Sequence, residues 1–273
     1  MGSGLAAKYG ILARGGGEAF QEASQIDVMV FDKTGTLTEG SEPKVTDMII
    51  HGPQSTDKVG IYHQDETKWS CTIAAIVLQL ASGTSHPLCL SLRRYYQDVS
   101  GVLPVVVGID IEEFPGCGMK GLFRLQSGDS NIVEARALLG NETWLREQGA
   151  TSDRDSEQLR RMKSQGKSIV LLALDNTELD RIPSSSPSRG SFSIVAVFAI
   201  SDRVRPEAPS VISQLHVQEV ETWMISGDNE ITAKAVARSV GIPSENVIAG
   251  VLPQQKVTSQ LRTRVNTFIK IRL

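Results

Sequence analysis

Hydrophobic and polar positions alternate in texture along the chain, and three apolar runs stand out as strands that stop at polar loops. Residues 26–31, IDVMVF, form a short run with β-branched residues that ends at Asp32 and a Thr/Gly cluster, the pattern of a buried strand feeding a loop. Residues 220–225, VETWMI, end at Ser226-Gly227-Asp228-Asn229, and 231–240 follow with apolar residues at helical spacing that close at Gly241. A third run, 192–200, is followed by Asp202 and a helical stretch at 206–215. Three strand, loop and helix units of this kind predict an α/β fold with a doubly wound parallel sheet.

Between the first unit and the others lie about 150 residues, a length that by itself suggests a separate domain inserted in a loop. Its pattern predicts helices at 68–80, 88–96 and 142–148 and strands at 105–109, 121–125 and 168–174, a mixed α+β module. The Pro/Ser tract at 183–188 reads as a flexible surface loop near its exit. The division expected is therefore 1–40 with 193–273 as one discontinuous domain and 41–192 as the insertion. No internal repeat is visible.

Composition narrows the function. The net charge of −3, with no run of Lys or Arg, argues against a nucleic-acid surface. Cys71, Cys89 and Cys117 are odd in number and widely spaced, so they suggest neither a disulfide framework nor a zinc site, and a reducing cytosolic setting fits. The most apolar stretches, 72–81 and 192–200, fall short of the roughly 18 residues of a membrane-spanning helix, and the first ten residues lack the features of a secretory signal. The expectation is a chain that does not itself cross a bilayer.

The chemistry lies in Asp32-Lys33-Thr34-Gly35-Thr36-Leu37-Thr38, which is the DKTGTLT signature of P-type ATPases. The resemblance implies a haloacid-dehalogenase-like parallel sheet in which the Asp32 carboxylate attacks the γ-phosphate of ATP. Lys33 adds positive charge, while Thr34, Gly35 and Thr36 offer amides and hydroxyls to the transferred group. It further implies Mg²⁺ held by Asp32 and the Thr34 carbonyl. Phosphatases of the related fold usually carry a second Asp two residues after the nucleophile; here that position is Thr34. Without a carboxylate to activate water, an aspartyl phosphate is expected to persist, as a pump requires.

Further segments match the family in its order. Ser226-Gly227-Asp228-Asn229 resembles the TGDN loop, with Ser226 keeping the hydroxyl that would hold the γ-phosphate, and Asp202 and Arg205 in SDRVRPEA match D-x-x-R/K-P-E-A. Pro253 and Lys256 match P-x-x-K, whose ammonium would neutralise phosphate charge in transfer. Taken singly, Asp228 is equally a helix N-cap, and Asp202 and Lys256 solvated surface charges.

The insertion resembles the nucleotide-binding domain of the heavy-metal branch. Ser85-His86-Pro87-Leu88 is similar to SEHPL, residues 116–121, GCGMKG, to GxGxxG, and Leu139-Gly140-Asn141 to the segment before a short helix. The resemblance implies that His86 meets adenine, that Gly116 and Gly118 let a nucleotide approach the backbone, and that Gly140 and Asn141 belong to the same site. Alone, His86 is more often a helix-start residue. A Rossmann dinucleotide site is disfavoured because the glycines do not open a strand-to-helix turn. The sequence departs from the family at Ser85, where the motif has Glu, and at Ala81, where another adenine-contacting Glu is expected.

Residues 9–20, YGILARGGGEAF, resemble the segment that leaves the metal-bearing membrane helix of these pumps. By resemblance the transported cation is copper, Cu⁺, with Cd²⁺ or Zn²⁺ as alternatives, and the chain lies on the cytosolic face of a membrane that other segments of the pump cross. The family's GDGxND loop is not found, and 258–273 show no family motif. These residues are therefore expected to be a piece of a longer pump with one edge of its parallel sheet uncovered. The competing readings are a haloacid-dehalogenase-like phosphatase and a non-catalytic nucleotide-binding fragment.

Overall fold

A computed structural model describes residues 25–40, 42–52, 66–97, 103–127, 131–150, 156–175, 192–251 and 269–271, with isolated positions 4, 7, 8, 18 and 21. In chain order its elements are β1 (Val28–Asp32), β2 (Lys44–Ile50), α1 (Glu66–Ser82), α2 (Pro87–Gln97), β3 (Val106–Phe114), β4 (Gly118–Ser127) and β5 (Asn131–Gly140). There follow α3 (Glu142–Glu147), α4 (Ser156–Ser164), β6 (Ser168–Asp175), β7 (Phe192–Ser201), α5 (Ala208–Val217), β8 (Glu221–Ile225), α6 (Glu230–Val240), β9 (Val247–Ile248) and β10 (Ile269–Ile271). The chain divides into two units, Met1–Glu39 with Val204–Leu273, and Gly40–Arg203.

The first unit is built on the parallel sheet expected from its strand, loop and helix pattern, in the order β10-β1-β8-β9. Alternation along β1 sends Phe31 to the face covered by α5 and α6, where it joins Leu37, Ile212, Met224, Ala233, Val236 and Val240. Val28 and Val30 turn to the other face with Ile225. α6 starts where Asn229 accepts from Thr232 N at 3.1 Å and stops at Gly241, whose φ of 91° is left-handed. The side of β1 away from β8 carries β10 in parallel register.

The second unit is one six-stranded antiparallel sheet, β2-β7-β6-β5-β4-β3. Neighbouring residues of each central strand go to opposite cores. Leu139, Leu172 and Phe198 pack with Trp69, Ile73, Leu80 and Leu92 of α1 and α2. Leu138, Leu171 and Val197 pack with Trp144, Leu145 and Leu159 of α3 and α4.

This corrects one reading of the sequence. Residues 192–200 are not a third strand of the parallel sheet; β7 pairs antiparallel with β2 and β6 inside the insertion. An unbroken apolar run signals burial on both faces, and a parallel strand or an antiparallel one sandwiched between helices satisfies it equally. The compact insertion accordingly extends through β7 to Arg203, beyond the boundary expected at 192. The tract at 183–188 and the segment 9–20 lie outside the described residues, apart from position 18.

Candidate active site

Asp32 ends β1 and is in register with Ile225, the end of β8, so residues 33–38 and 226–229 leave adjacent parallel strands at the same carboxyl edge. Ligands of open α/β sheets bind at such an edge. Thr34 (φ −77°, ψ 121°) and Gly35 (φ 77°, ψ −1°) adopt the dihedrals of a type II turn, which requires a left-handed third residue and explains the glycine. Thr38 closes the loop: its N–H and its hydroxyl donate to the Lys33 carbonyl at 3.1 and 3.0 Å, and its hydroxyl accepts from Gly35 N at 3.3 Å.

Two side chains of this loop are buried in polar form. Lys33, 4% exposed, forms an ion pair with the Asp228 carboxylate. Thr36 is 2% exposed and its hydroxyl has no hydrogen-bond partner among the described residues, which is uncommon for a buried polar atom. The partner loop is held firmly: Ser226 N donates to Ile248 O at 2.9 Å, Val251 N to Ser226 O at 3.1 Å, and Gly250 N to Asp228 O at 2.8 Å. Ser226 Oγ donates to Asp228 Oδ2 at 3.2 Å and accepts from Asp228 N at 3.1 Å. The cap of α6 is Asn229, so Asp228 is not its N-cap residue. Gly227 would admit a Cβ, with Val251 O nearest at 3.5 Å, so local packing does not account for this glycine.

Arg205 belongs to the same assembly. Its backbone N donates to Leu37 O at 3.0 Å, its guanidinium to Gly35 O at 3.4 Å, and its neighbour Val204 bridges Thr38. In the second unit Asp202 accepts from Gly40 N at 3.0 Å. Arg205 is thus brought to the loop as its motif implies, whereas Thr38 lies within the quoted DKTGTLT motif without an individual role assigned from the sequence. Pro253 and Lys256 lie outside the described residues.

Among the described residues, oxygen donors that a divalent cation could use at this edge include the Asp32 carboxylate and backbone carbonyls of the turn. Among the described residues no cluster of three acidic, His or Cys side chains forms a cage. That set suits magnesium, which takes hard oxygen ligands and commonly binds through one or two carboxylates, substrate phosphates and water.

In the second unit the three segments singled out from the sequence meet at one end of the sheet. The loop between α1 and α2 is tied to β3 by Thr84, whose hydroxyl donates to Glu113 Oε1 at 2.6 Å. β3 turns into β4 through Pro115 and Gly116, whose φ of 76° completes a turn closed by Cys117 N to Phe114 O at 2.9 Å. Gly118 lies opposite Gly140, and Asn141 Nδ2 donates to Gly116 O at 3.0 Å.

Each of these residues also carries structure. A Cβ on Gly118 would stand 2.3 Å from Leu139 O, and one on Gly140 2.5 Å from Cys117 O, so the two strands need both glycines to pass this closely. Asn141 caps α3, accepting from Trp144 N at 2.9 Å. His86 is exposed; its Nδ1 accepts from Leu88 N at 3.3 Å and so caps the start of α2. Ser85 is exposed, whereas Ala81, in the last turn of α1, is fully buried in the core that α1 forms with α2 and the sheet. Burial, with Glu113 nearby, pushes the Cys89 thiol up to about 11, and burial with Glu147 nearby raises that of Cys117.

Among the described residues no helix is long and apolar enough to cross a membrane. Residues 26–258 match the family described as haloacid dehalogenase-like hydrolase. The chain is 29% identical to a copper-exporting P-type ATPase of Staphylococcus haemolyticus over 94% of its own length and 26% of that protein. It is 30% identical to the chloroplastic copper-transporting ATPase PAA1 of Arabidopsis thaliana over 94% of its length and 23% of that protein. The human copper-transporting ATPase 2 is 28% identical, with 94% and 17% covered. The chain thus spans less than a third of the length of these curated relatives.

Among solved structures, the catalytic domain of the CPx-ATPase CopB-B superposes with a TM-score of 0.55 at 17% identity, covering 98% of this chain and 81% of that one. A zinc-transporting PIB-type ATPase in its E2.Pi state gives 0.50 at 23% identity, covering 94% and 34%. These two likenesses concern the fold.

Proposed function

This chain belongs to the haloacid dehalogenase-like hydrolase family, and on that premise we propose that it is the phosphorylating, nucleotide-binding part of a P-type ATPase that moves a heavy-metal cation, copper before cadmium or zinc. The observation that carries the reading is the meeting of the DKTGTLT and SGDN loops at one strand edge, with Lys33 of one ion-paired to Asp228 of the other. The names of the curated relatives support copper.

Asp32 is the nucleophile. One carboxylate oxygen forms a bond to the γ-phosphorus of ATP as the bond to the bridging β,γ-oxygen breaks and ADP departs. The buried Lys33 ammonium sets positive charge beside the acceptor, and Asp228 pairs with that charge before nucleotide arrives. Ser226 and Thr36 present hydroxyls at the same edge, with Gly227 allowing close approach of a phosphate oxygen. Lys256, by its motif, adds a second cation. Asp32 and the Thr34 carbonyl would hold Mg²⁺, which when bound neutralises charge on the transferring phosphoryl group.

Thr34 decides between pump and phosphatase. A hydroxyl there is too weak a base to activate water, so the aspartyl phosphate lasts long enough to drive a change of conformation. The nucleotide is held by the second unit at the sheet end formed by His86, Gly116, Gly118, Gly140 and Asn141. Cation transfer belongs to membrane segments of the whole pump. Acid-stable, hydroxylamine-sensitive incorporation of phosphate from γ-labelled ATP tests this reading; a chain that releases phosphate without ever retaining label would be the phosphatase instead.

A further inference from the structure

Thr38 stands outside the residues given a part in phosphoryl transfer, yet its hydroxyl controls the direction of one peptide group. It is 1% exposed, donates to the Lys33 carbonyl and accepts from the Gly35 N–H. That N–H belongs to the peptide whose carbonyl is Thr34's. Because a trans peptide holds its N–H and C=O on opposite sides, fixing the Gly35 N–H on Thr38 turns the Thr34 carbonyl away from Thr38 and out of the turn.

The local sequence does not settle that direction. Types I and II turns differ in the orientation of the central peptide, and Thr-Gly at the two central positions is compatible with either, since glycine accepts both signs of φ. The observed dihedrals are those of type II. The hydroxyl of Thr38 stabilises this form, because the reversed peptide would carry the Gly35 N–H away from it and give up that hydrogen bond.

We propose that Thr38 is a positioning residue for the divalent cation: by anchoring the Gly35 N–H it keeps the Thr34 carbonyl presented as an oxygen ligand alongside Asp32. This rests on the reading above that Asp32 and the Thr34 carbonyl hold magnesium. Thr38→Val keeps the branched shape and removes the hydroxyl, while the backbone N–H of residue 38 still reaches Lys33 O. Thr38→Ser keeps the hydroxyl.

The probe is Mn²⁺, followed through the loss of its free-ion electron paramagnetic resonance signal on the full chain, with Mg²⁺ half-saturation of labelling as a second readout. Thr38→Val is expected to weaken Mn²⁺ binding about tenfold, the lower end of losses on removing a group that orients a metal ligand, and Thr38→Ser to restore it. Thermal unfolding of each variant converts the signal to binding per folded molecule. Parent affinity in Thr38→Val, or a loss that Thr38→Ser does not rescue, overturns the role of Thr38 while a weakened Asp32→Asn leaves the cation at Asp32. If Asp32→Asn binds Mn²⁺ as the parent does, the reading of the cation site falls, and the proposal with it.

Discussion

Lys33 and Asp228, on loops that leave neighbouring parallel strands, form an ion pair in which the two side chains keep only 5% and 16% of their exposure. A lysine so deeply placed requires its counter-charge, because removing one member of a buried pair leaves the other desolvated and uncompensated. The pair thereby stabilises the resting protein while placing an ammonium one residue from Asp32.

Asp228→Ala is therefore expected to destabilise the first unit by about 3 kcal/mol, and Lys33→Met introduced into that variant to recover most of the loss. Urea unfolding of the two single variants and the double variant measures the coupling. A coupling energy below about 0.5 kcal/mol, as exposed pairs show, would mean that the pair contributes no stability.

His86 is asked to do two things, cap α2 through Nδ1 and meet the adenine with its exposed ring. His86→Ala is expected to weaken ATP binding by about 1–2 kcal/mol, and His86→Asn, which retains a capping acceptor without the ring, to keep stability and still lose affinity. Calorimetric titration beside thermal unfolding separates the roles. Full affinity per folded molecule in both variants would assign His86 to the helix start alone.

The second unit carries an alkaline weakness. Burial, then Glu113, raises the Cys89 thiol from 9.0 to about 11, and burial followed by the Tyr95 neighbour raises the Tyr96 phenol further. Both groups are held neutral in the fold and ionise more readily once unfolded; the Cys89 contribution is fully present below about pH 9 and is lost as pH climbs through 11, and that of Tyr96 is lost at higher pH still. Stability of this unit is expected to fall across that window, and Cys89→Ala to flatten the fall. A pH profile identical in Cys89→Ala would remove the thiol as its source.

What the sequence allowed to be read, and what it did not, follows from how locally each feature is encoded. β1 and β8 end at Asp32 and at the Ser226 loop, and such short apolar runs broken by turn residues are self-contained signals. β7 is not: its residues report burial on two faces and nothing about which strands it pairs with. β5, whose Glu134, Ala135, Arg136 and Ala137 are ordinary helix formers, becomes a strand because β4 pairs along its whole length and β6 along its end. The loop after β1 was legible because its motif is contiguous. The mutual need of Gly118 and Gly140 and the anchoring of Gly35 by Thr38 were not, since both arise from distances that exist only in the folded backbone.

Whether Asp32 accepts the γ-phosphate of ATP is read by comparing the parent chain with Asp32→Asn for label retained from γ-labelled ATP after acid precipitation, before and after hydroxylamine. The parent is expected to retain label that hydroxylamine removes. The Asn variant is expected to retain none while binding ATP as well as or better than the parent by calorimetry, because the carboxylate's repulsion of the γ-phosphate is gone. Equal labelling of the two proteins, or no labelling of a parent that binds MgATP, would rule out Asp32 as the phosphate acceptor.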